Sequence, residues 1–298
     1  MPNEQQQFWP NNARLCVSIA MQFEAGGQPI SGAGGPITEP IEPGYPDLGT
    51  NGFFEYGIHE GMPRMLDLFD KHDIKVTSFM IGEAIEKHPE LAREIVRRGH
   101  EPAAHGKRWE PQYTFPPEEE RAWIQSSLDS IVNVTGQRPS GYNCYWMRGS
   151  VRTLDLLQEL GFTYHIDDLS RDEPFIQDIN GKPFVSVPYT VHMNDIVAYD
   201  FTGFSPADYE QQLRDEFDQL YEEGASRPAD DADQLARPPV GTCFKGACSR
   251  PLPDLCEEPS RGMVRAQGRD RPACVSHSGH HAKSGARRCR GQRPAEHH

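Results

Sequence analysis

Apolar and polar positions alternate from Leu15 to Phe23 in a stretch rich in β-formers, which predicts a buried strand ending at Glu24. Ala25 to Gly57 is dense in Gly and Pro, and the pattern predicts no regular element there. That stretch holds no Gly-Lys-Ser/Thr, so a phosphate-cradling loop is not expected, and it reads as a long ordered lid or an arm between copies of a homo-oligomer. Periodicity resumes at Met62, where Met62, Met65, Leu66 and Phe69 make one apolar helical face, and Ile74 to Ile81 follows as a strand. His88-Pro89 opens a helix with Leu91, Ala92, Ile95 and Val96 inward and Gly99 as its stop. The next strand delivers His105 at its C-terminal end.

Further on, Pro116 and Pro117 with Glu118 to Glu120 start a helix whose Ile124, Leu128 and Ile131 face the core, stopped near Gly136. Arg138 to Tyr145 reads as a strand or strand-loop, Val151 to Leu160 as a helix, and Phe162 to Asp167 and Phe184 to Pro188 as strands. Ser205-Pro206 caps a helix carrying Tyr209, Leu213, Phe217 and Leu220 and ended by Gly224. This βαβα rhythm over 298 residues predicts an α/β fold with a mostly parallel sheet, closed as a barrel or barrel-like. Sites in such folds sit where the strands end. Glu24, His105, Tyr142, Asp167 or Asp168, and Tyr189 all fall near predicted strand C-termini and can converge, although each taken singly is equally a surface or capping residue.

Charge narrows the partners. A net charge of -14 and a pI near 5.3 argue against nucleic acid and anionic membranes, since both need a basic face. A small-molecule or carbohydrate ligand fits better. Met1 to Asn12 lacks the basic-then-apolar pattern of a secretion signal and no apolar run reaches transmembrane length, so a soluble, cytoplasmic protein is expected.

Cysteine usage marks a break in the chain. Cys243, Cys248, Cys256, Cys274 and Cys289 lie in the last quarter, which from Pro228 carries 12 Lys plus Arg against 8 Asp plus Glu and lacks Ile, Tyr and Trp. None of these cysteines forms a Cys-x-x-Cys pair, which weakens a zinc module, and a disordered basic tail is the plainer reading. A third reading accounts for more. Taken one base out of frame with GC-rich synonymous codons, the tail gains a strand-like apolar run, a Ser-Ser-His-Asp-Arg segment and an amphipathic helix, and Met263-Val264 is forced to give Trp. The expectation is a domain over residues 1–227 and a frameshifted, disordered tail over 228–298, tested by sequencing the gene across Arg227.

The stretch Gly99 to Tyr113 has the outline of a metal site with a ligand missing. His105 is followed four positions on by Trp109, where a second His would have completed a His-x-x-x-His pair, and an indole nitrogen only donates.

These residues resemble the polysaccharide deacetylase (NodB-homology) superfamily. Phe23-Glu24-Ala25-Gly26 stands where that superfamily has Phe-Asp-Asp-Gly, Ala104-His105-Gly106 matches its Ser/Ala-His-Gly, and Thr135-Gly136-Gln137-Arg138-Pro139 matches its Thr-Gly-x-x-Pro. The similarity runs from about Phe8 to Arg227 and implies a distorted (β/α)7 TIM-like barrel, incomplete at its C-terminus here. Ordinary members bind a divalent metal through an Asp and two His, with another Asp as base and a late His as acid. Here Glu24 has Ala25 beside it and the second His is Trp109, a poor set for zinc.

The bacterial metal-independent allantoinases show the same losses, and this chain is more similar to them. The likeness lies at Glu24-Ala25-Gly26-Gly27, His105-Gly106-Lys107-Arg108-Trp109, Arg138-Pro139-Ser140-Gly141-Tyr142, Asp167-Asp168, Val187-Pro188-Tyr189-Thr190 and Asn194-Asp195. Ala25 replaces an acid found in that branch, and Asn143-Cys144-Tyr145-Trp146 is not its usual sequence. The late His is missing in the present frame and reappears in the shifted one.

The resemblance implies hydrolysis of a non-peptide amide without a metal or other cofactor. That chemistry needs a base for water, a donor for the oxyanion and an acid for the leaving nitrogen. Glu24 is the candidate base, or else a structural carboxylate paired with Arg108 or Arg138. His105 is the candidate oxyanion donor or water-orienting group, or else a satisfied core histidine. Trp109 would give a flat apolar wall for a planar ureide or heterocycle, and Tyr142, Asp168, Tyr189 and Asn194 are candidate substrate contacts, with core, turn or capping roles as their alternatives. Two other outcomes stand beside this one: a metal-dependent deacetylase of N-acetylated sugars, and an inactive product of this reading frame.

Overall fold

The computed structural model describes Trp9 and residues 13–225. The expected separate tail over 228–298 lies outside the described residues. Seven strands form one sheet in the order β1-β2-β3-β4-β5-β7-β6. They are β1 (Ala20–Phe23), β2 (Thr77–Met80), β3 (Glu101–Ala104), β4 (Gly141–Tyr142), β5 (Tyr164–His165), β6 (Phe175–Ile179) and β7 (Lys182–Ser186). All neighbours are parallel except the β6–β7 hairpin, so the chain is α/β with a mostly parallel sheet, as its rhythm predicts. Among the described residues β1 and β6 are the two edges.

The helices are α1 (Leu48–Tyr56), α2 (Met62–Lys71), α3 (Gly82–Lys87), α4 (Pro89–Arg97), α5 (Pro117–Thr135), α6 (Thr153–Glu159) and α7 (Pro206–Gly224). Their ends follow the sequence signals. Pro89 and Pro117 occupy first-turn positions, three glutamates face the N-terminus of α5, and Gly99 and Gly136 take left-handed conformations just after α4 and α5. Ser205 caps α7 in a reciprocal box: its Oγ accepts from the Asp208 N–H at 3.3 Å while Asp208 Oδ2 accepts from the Ser205 N–H at 2.9 Å. At the other end of α7, a Cβ on Gly224 would come within 2.1 Å of the Arg14 carbonyl oxygen, so only glycine lets the helix sit against the strand-leading segment.

Three expectations need correction. The Gly- and Pro-rich stretch contains α1, because Asp47 accepts the Thr50 N–H at 2.9 Å and caps a helix that runs through a wide turn at Gly57–Gly61 into α2. Met65, expected inward, is exposed beside buried Met62, Leu66 and Phe69. The hairpin strand β6 has no counterpart in the pattern, since its residues are only half-buried and show no clean alternation.

Side-chain parity along the parallel strands sets up everything that follows. Phe23, Met80, Ala104 and Tyr142 belong to the large core that also takes Leu66, Ile95, Ile131 and Leu157 from the helices. Phe79, Ala103, Tyr164 and Val185 form a separate cluster, joined by the half-buried Val187 and Tyr189. Successive side chains alternate between faces, so Gln22 with Glu24 and Ala103 with His105 share the second, helix-free face.

Candidate active site

Glu24, His105 and Asn143 each follow the last residue of a strand, β1, β3 and β4 respectively. The sheet ladder carries on through two of them: the His105 N–H donates to the Met80 carbonyl at 3.0 Å and the Asn143 N–H to the Ala104 carbonyl at 2.9 Å. β1 and β3 flank β2, so their backbones lie about 10 Å apart. The Glu24 side chain is long enough to reach across. Its Oε1 meets His105 Nε2 at 3.0 Å. The imidazole is 3% exposed and the carboxylate side chain 25%, so the pair is anchored on the histidine side and open on the glutamate side.

The other ring nitrogen settles the tautomer. His105 Nδ1 lies 2.8 Å from the Asn143 carbonyl, which can only accept, so Nδ1 carries a proton and donates. Nε2 and Glu24 Oε1 therefore share one further proton. Burial alone would depress the His105 pKa. The hydrogen bond and charge of Glu24, with the Asn143 carbonyl and the Asp167 charge, outweigh it and hold that pKa above its ordinary value. The shift favours the protonated imidazole, whose Nε2–H donates to Glu24 Oε1. Glu24 is not paired with Arg108, which binds Glu110 at 2.7 Å, nor with Arg138, which donates to the Leu160 carbonyl.

Trp109 does more than line a wall. Its indole N–H donates to the Glu24 carbonyl at 3.0 Å and its backbone N–H to the Gly27 carbonyl at 2.9 Å, while the Gly27 N–H closes the turn onto the same Glu24 carbonyl at 3.0 Å. The turn needs Gly26 at φ 108, where a Cβ would also press to 3.1 Å of the Ala84 Cα. The indole is half-buried, edge-on to Phe54 at 4.9 Å and stacked on Tyr145 at 5.8 Å. Tyr145 in turn lies 6.2 Å from the His105 ring, so the two aromatic rings flank the ion pair.

The remaining expected residues divide. Tyr189 and Asn194 come together, with Asn194 Nδ2 donating to the Tyr189 hydroxyl at 2.6 Å. Burial, joined by the charges of Asp195 and Glu24, raises the Tyr189 pKa against the bonds from Asn194 and Gln22, so the phenol stays neutral beside the pair. Asp168 is a turn residue: its Oδ1 accepts from the Ser170 N–H at 2.8 Å and the Ser170 hydroxyl at 2.6 Å. Burial would raise its pKa, but these bonds, joined by the Arg171 charge, lower it. Tyr142 stands off the site. It is 0% exposed and its hydroxyl donates to Gln112 Oε1 at 2.7 Å, because parity turns it into the helix-facing core and leaves the next residue, Asn143, at the site.

Gln22, Asn143, Tyr145 and Asp167 are the residues that pattern reading underweighted. Gln22 Nε2 donates to Asn143 Oδ1 at 3.3 Å, and Asn143 Nδ2 donates to Asp167 Oδ1 at 2.6 Å. Gln22 had a signal, since it sits two positions before Glu24 on the same strand face. Cys144 is buried, and burial together with Asp167 pushes its thiol pKa well up, so it is no nucleophile. His165 and Ser186 look like parts of a hydrolytic triad, with Nε2 to Oγ at 2.6 Å, but the Asp167 N–H donates to His165 Nδ1 at 3.3 Å. Nε2 therefore carries the proton and donates to the serine, which is the wrong direction for activating it.

Comparison with known proteins bears on this geometry. A family model described as polysaccharide deacetylase matches residues 53–165. A Schizosaccharomyces pombe protein assigned to the polysaccharide deacetylases is 30% identical over 244 residues, covering 72% of this chain and 76% of that one. The chain belongs to the polysaccharide deacetylase family. A peptidoglycan deacetylase of Helicobacter pylori is 28% identical over 211 residues, with 60% of this chain and 71% of that one covered. Among solved structures, Puue allantoinase matches with a TM-score of 0.67 at 29% identity, covering 82% of this chain and 86% of that one. A structure from Pseudomonas aeruginosa PAO1 described as a probable polysaccharide deacetylase matches with the same score and identity, covering 82% and 87%. These neighbours carry the (β/α)7 barrel fold of the family. The chain is a hydrolase acting on carbon–nitrogen bonds other than peptide bonds.

The residues at the strand ends do not fit the divalent metal of ordinary polysaccharide deacetylases. His105 could offer a metal one lone pair at most, since Nδ1 donates to Asn143 and Nε2 already bonds Glu24. Trp109 contributes a donor, and no group of three or more His, Cys, Asp or Glu residues among the described residues could hold a metal ion. No helix among the described residues is long and apolar enough to cross a membrane.

Proposed function

We propose that this polysaccharide deacetylase relative hydrolyses a small cyclic or linear amide of the ureide or hydantoin class, using Glu24 and His105 in place of a metal. The observation that carries this reading is the 3.0 Å contact between His105 Nε2 and Glu24 Oε1, with the opposite ring nitrogen committed to Asn143. Glu24 takes a proton from water as the water oxygen attacks the amide carbonyl. The His105 Nε2–H donates to the developing oxyanion, and the neutral Tyr189 hydroxyl is a second donor on the same side. Glu24 then passes its proton to the leaving nitrogen as the C–N bond breaks, which restores the carboxylate.

Trp109 and Tyr145 give a planar substrate an aromatic flank, and Asn194 supplies an amide for a ureide edge. The resemblance to metal-independent allantoinases and the likeness to Puue allantoinase support the same class. A second reading, deacetylation of an N-acetylated sugar, draws support from Trp146 and Phe201. These rings are 53% and 67% exposed and stack at 6.2 Å next to Tyr145, and such exposed faces suit a pyranose. Incubating the chain with ureides, hydantoins and chitooligosaccharides, with and without EDTA, separates the readings. Chelator-insensitive ring opening supports the first, chelator-sensitive acetate release the second, and no turnover on any of them points to an inactive product.

A further inference from the structure

The Asn143–Cys144 peptide bond is held at both ends by groups of opposite kind. Its carbonyl accepts the His105 Nδ1–H at 2.8 Å. Its N–H donates to both Asp167 oxygens, at 2.9 Å to Oδ1 and 3.1 Å to Oδ2. Asp167 Oδ1 also accepts the Asn143 side-chain amide at 2.6 Å, so one carboxylate fixes both the backbone and the side chain of the residue that faces the imidazole. The carboxylate is 13% exposed, which keeps water from competing for these bonds.

A peptide group whose N–H meets a carboxylate is polarised, and its carbonyl becomes a stronger acceptor. The same plane cannot rotate without breaking a bond on one side or the other. We propose that Asp167 is a positioning residue that aims and strengthens the Asn143 carbonyl, and through it fixes the His105 imidazole with Nε2 directed at Glu24. Asp167 makes no hydrogen bond to the imidazole; beside the reach of its charge, it acts on the ring through the Asn143–Cys144 peptide. The arrangement parallels a carboxylate that accepts a histidine's ring N–H and so fixes its orientation, with a peptide inserted between the two. The proposal rests on the catalytic reading of His105 for its consequence in turnover, and on geometry alone for its effect on the ring.

The test is NMR of the imidazole protons in the full chain, alongside kinetics. In Asp167→Asn, exchange of the His105 Nδ1–H with solvent speeds up at least about fivefold, as expected for a weakened hydrogen bond. kcat falls about 10- to 100-fold while KM stays within about twofold. In Asn143→Ala the peptide clamp remains and the exchange rate stays near that of the parent. Unchanged exchange in Asp167→Asn overturns the proposal, as does Asn143→Ala matching Asp167→Asn. Should Asp167→Asn fail to fold, Asp167→Glu moves the carboxylate by one methylene, and exchange unaltered there overturns the proposal equally. A parent chain inactive on every amide removes the proposed function and leaves the exchange measurement standing.

Discussion

His105 Nε2 and Glu24 Oε1 lie 3.0 Å apart although 81 positions separate them in the chain and β2 runs between their strands. The contact exists because both residues stand one step past a strand end and share a face. The same strand ends are where members of this fold class do chemistry. Replacing Glu24 with Gln keeps the shape and removes the base. Amide hydrolysis should fall at least about 100-fold while the chain stays folded, since the side chain is partly open to water. Full activity in Glu24→Gln removes Glu24 as the base.

The pair also fixes a pH dependence. The His105 pKa is raised in the folded chain, so its pairing stabilises the fold fully below the unfolded value of about 6.5. That contribution is lost as pH rises through the folded value. Comparing melting temperatures of the parent and Glu24→Gln across pH should show the larger gap at pH of about 6 and a smaller one near 9. Activity should decline on the same alkaline limb as the Nε2 proton is lost. A gap that widens with rising pH contradicts a raised His105 pKa.

The long-range logic of this site was legible in part. Glu24 and His105 could be found because each ends an apolar run, and a run's end marks a strand's C-terminus. Tyr142 was one residue off: the motif around Arg138 to Tyr142 locates the strand, but the two-residue strand β4 is too short to reveal which face each side chain takes. Asn143 was hidden, and Asp167 stood only as an alternative to Asp168, for a different reason. Their roles are hydrogen bonds to a backbone peptide, and no periodicity records where a backbone group points. Helix α1 escaped because its cap, Asp47, sits among Gly and Pro residues that also suit a loop.

Trp109 should behave as a hydrogen-bond donor to the turn as well as an aromatic surface. Trp109→Phe keeps a ring between Phe54 and Tyr145 but removes the bond to the Glu24 carbonyl, which retains the Gly27 N–H as a partner. The expected cost is about 1 kcal/mol of stability, with kcat reduced more than KM is raised because Glu24 loses its anchor. Trp109→His restores an imidazole at the metal-family position. It should still bind no stoichiometric zinc, because Ala25 offers no carboxylate beside the two imidazoles. Equimolar zinc retained after dialysis would overturn that expectation.

Helix α7 docks by a backbone contact, and this gives a stability test remote from the site. Gly224 faces the Arg14 carbonyl so closely that a Cβ would stand 2.1 Å from its oxygen, and neither partner is a flexible side-chain tip that could swing aside. The end of α7 is further held by the Arg14 guanidinium over the Tyr221 ring at 5.1 Å. Ala favours helix over Gly by up to about 1 kcal/mol, so propensity alone predicts that Gly224→Ala stabilises. The clash should win, because overpacking of this kind costs about 1–3 kcal/mol and shifts the helix end away from the segment leading into β1. Chemical denaturation of Gly224→Ala should therefore show a lower midpoint. Tyr221→Ala, which removes only the ring, should cost less. A stabilised Gly224→Ala would mean that the segment through Arg14 gives way freely, and that α7 does not brace the strand carrying Glu24.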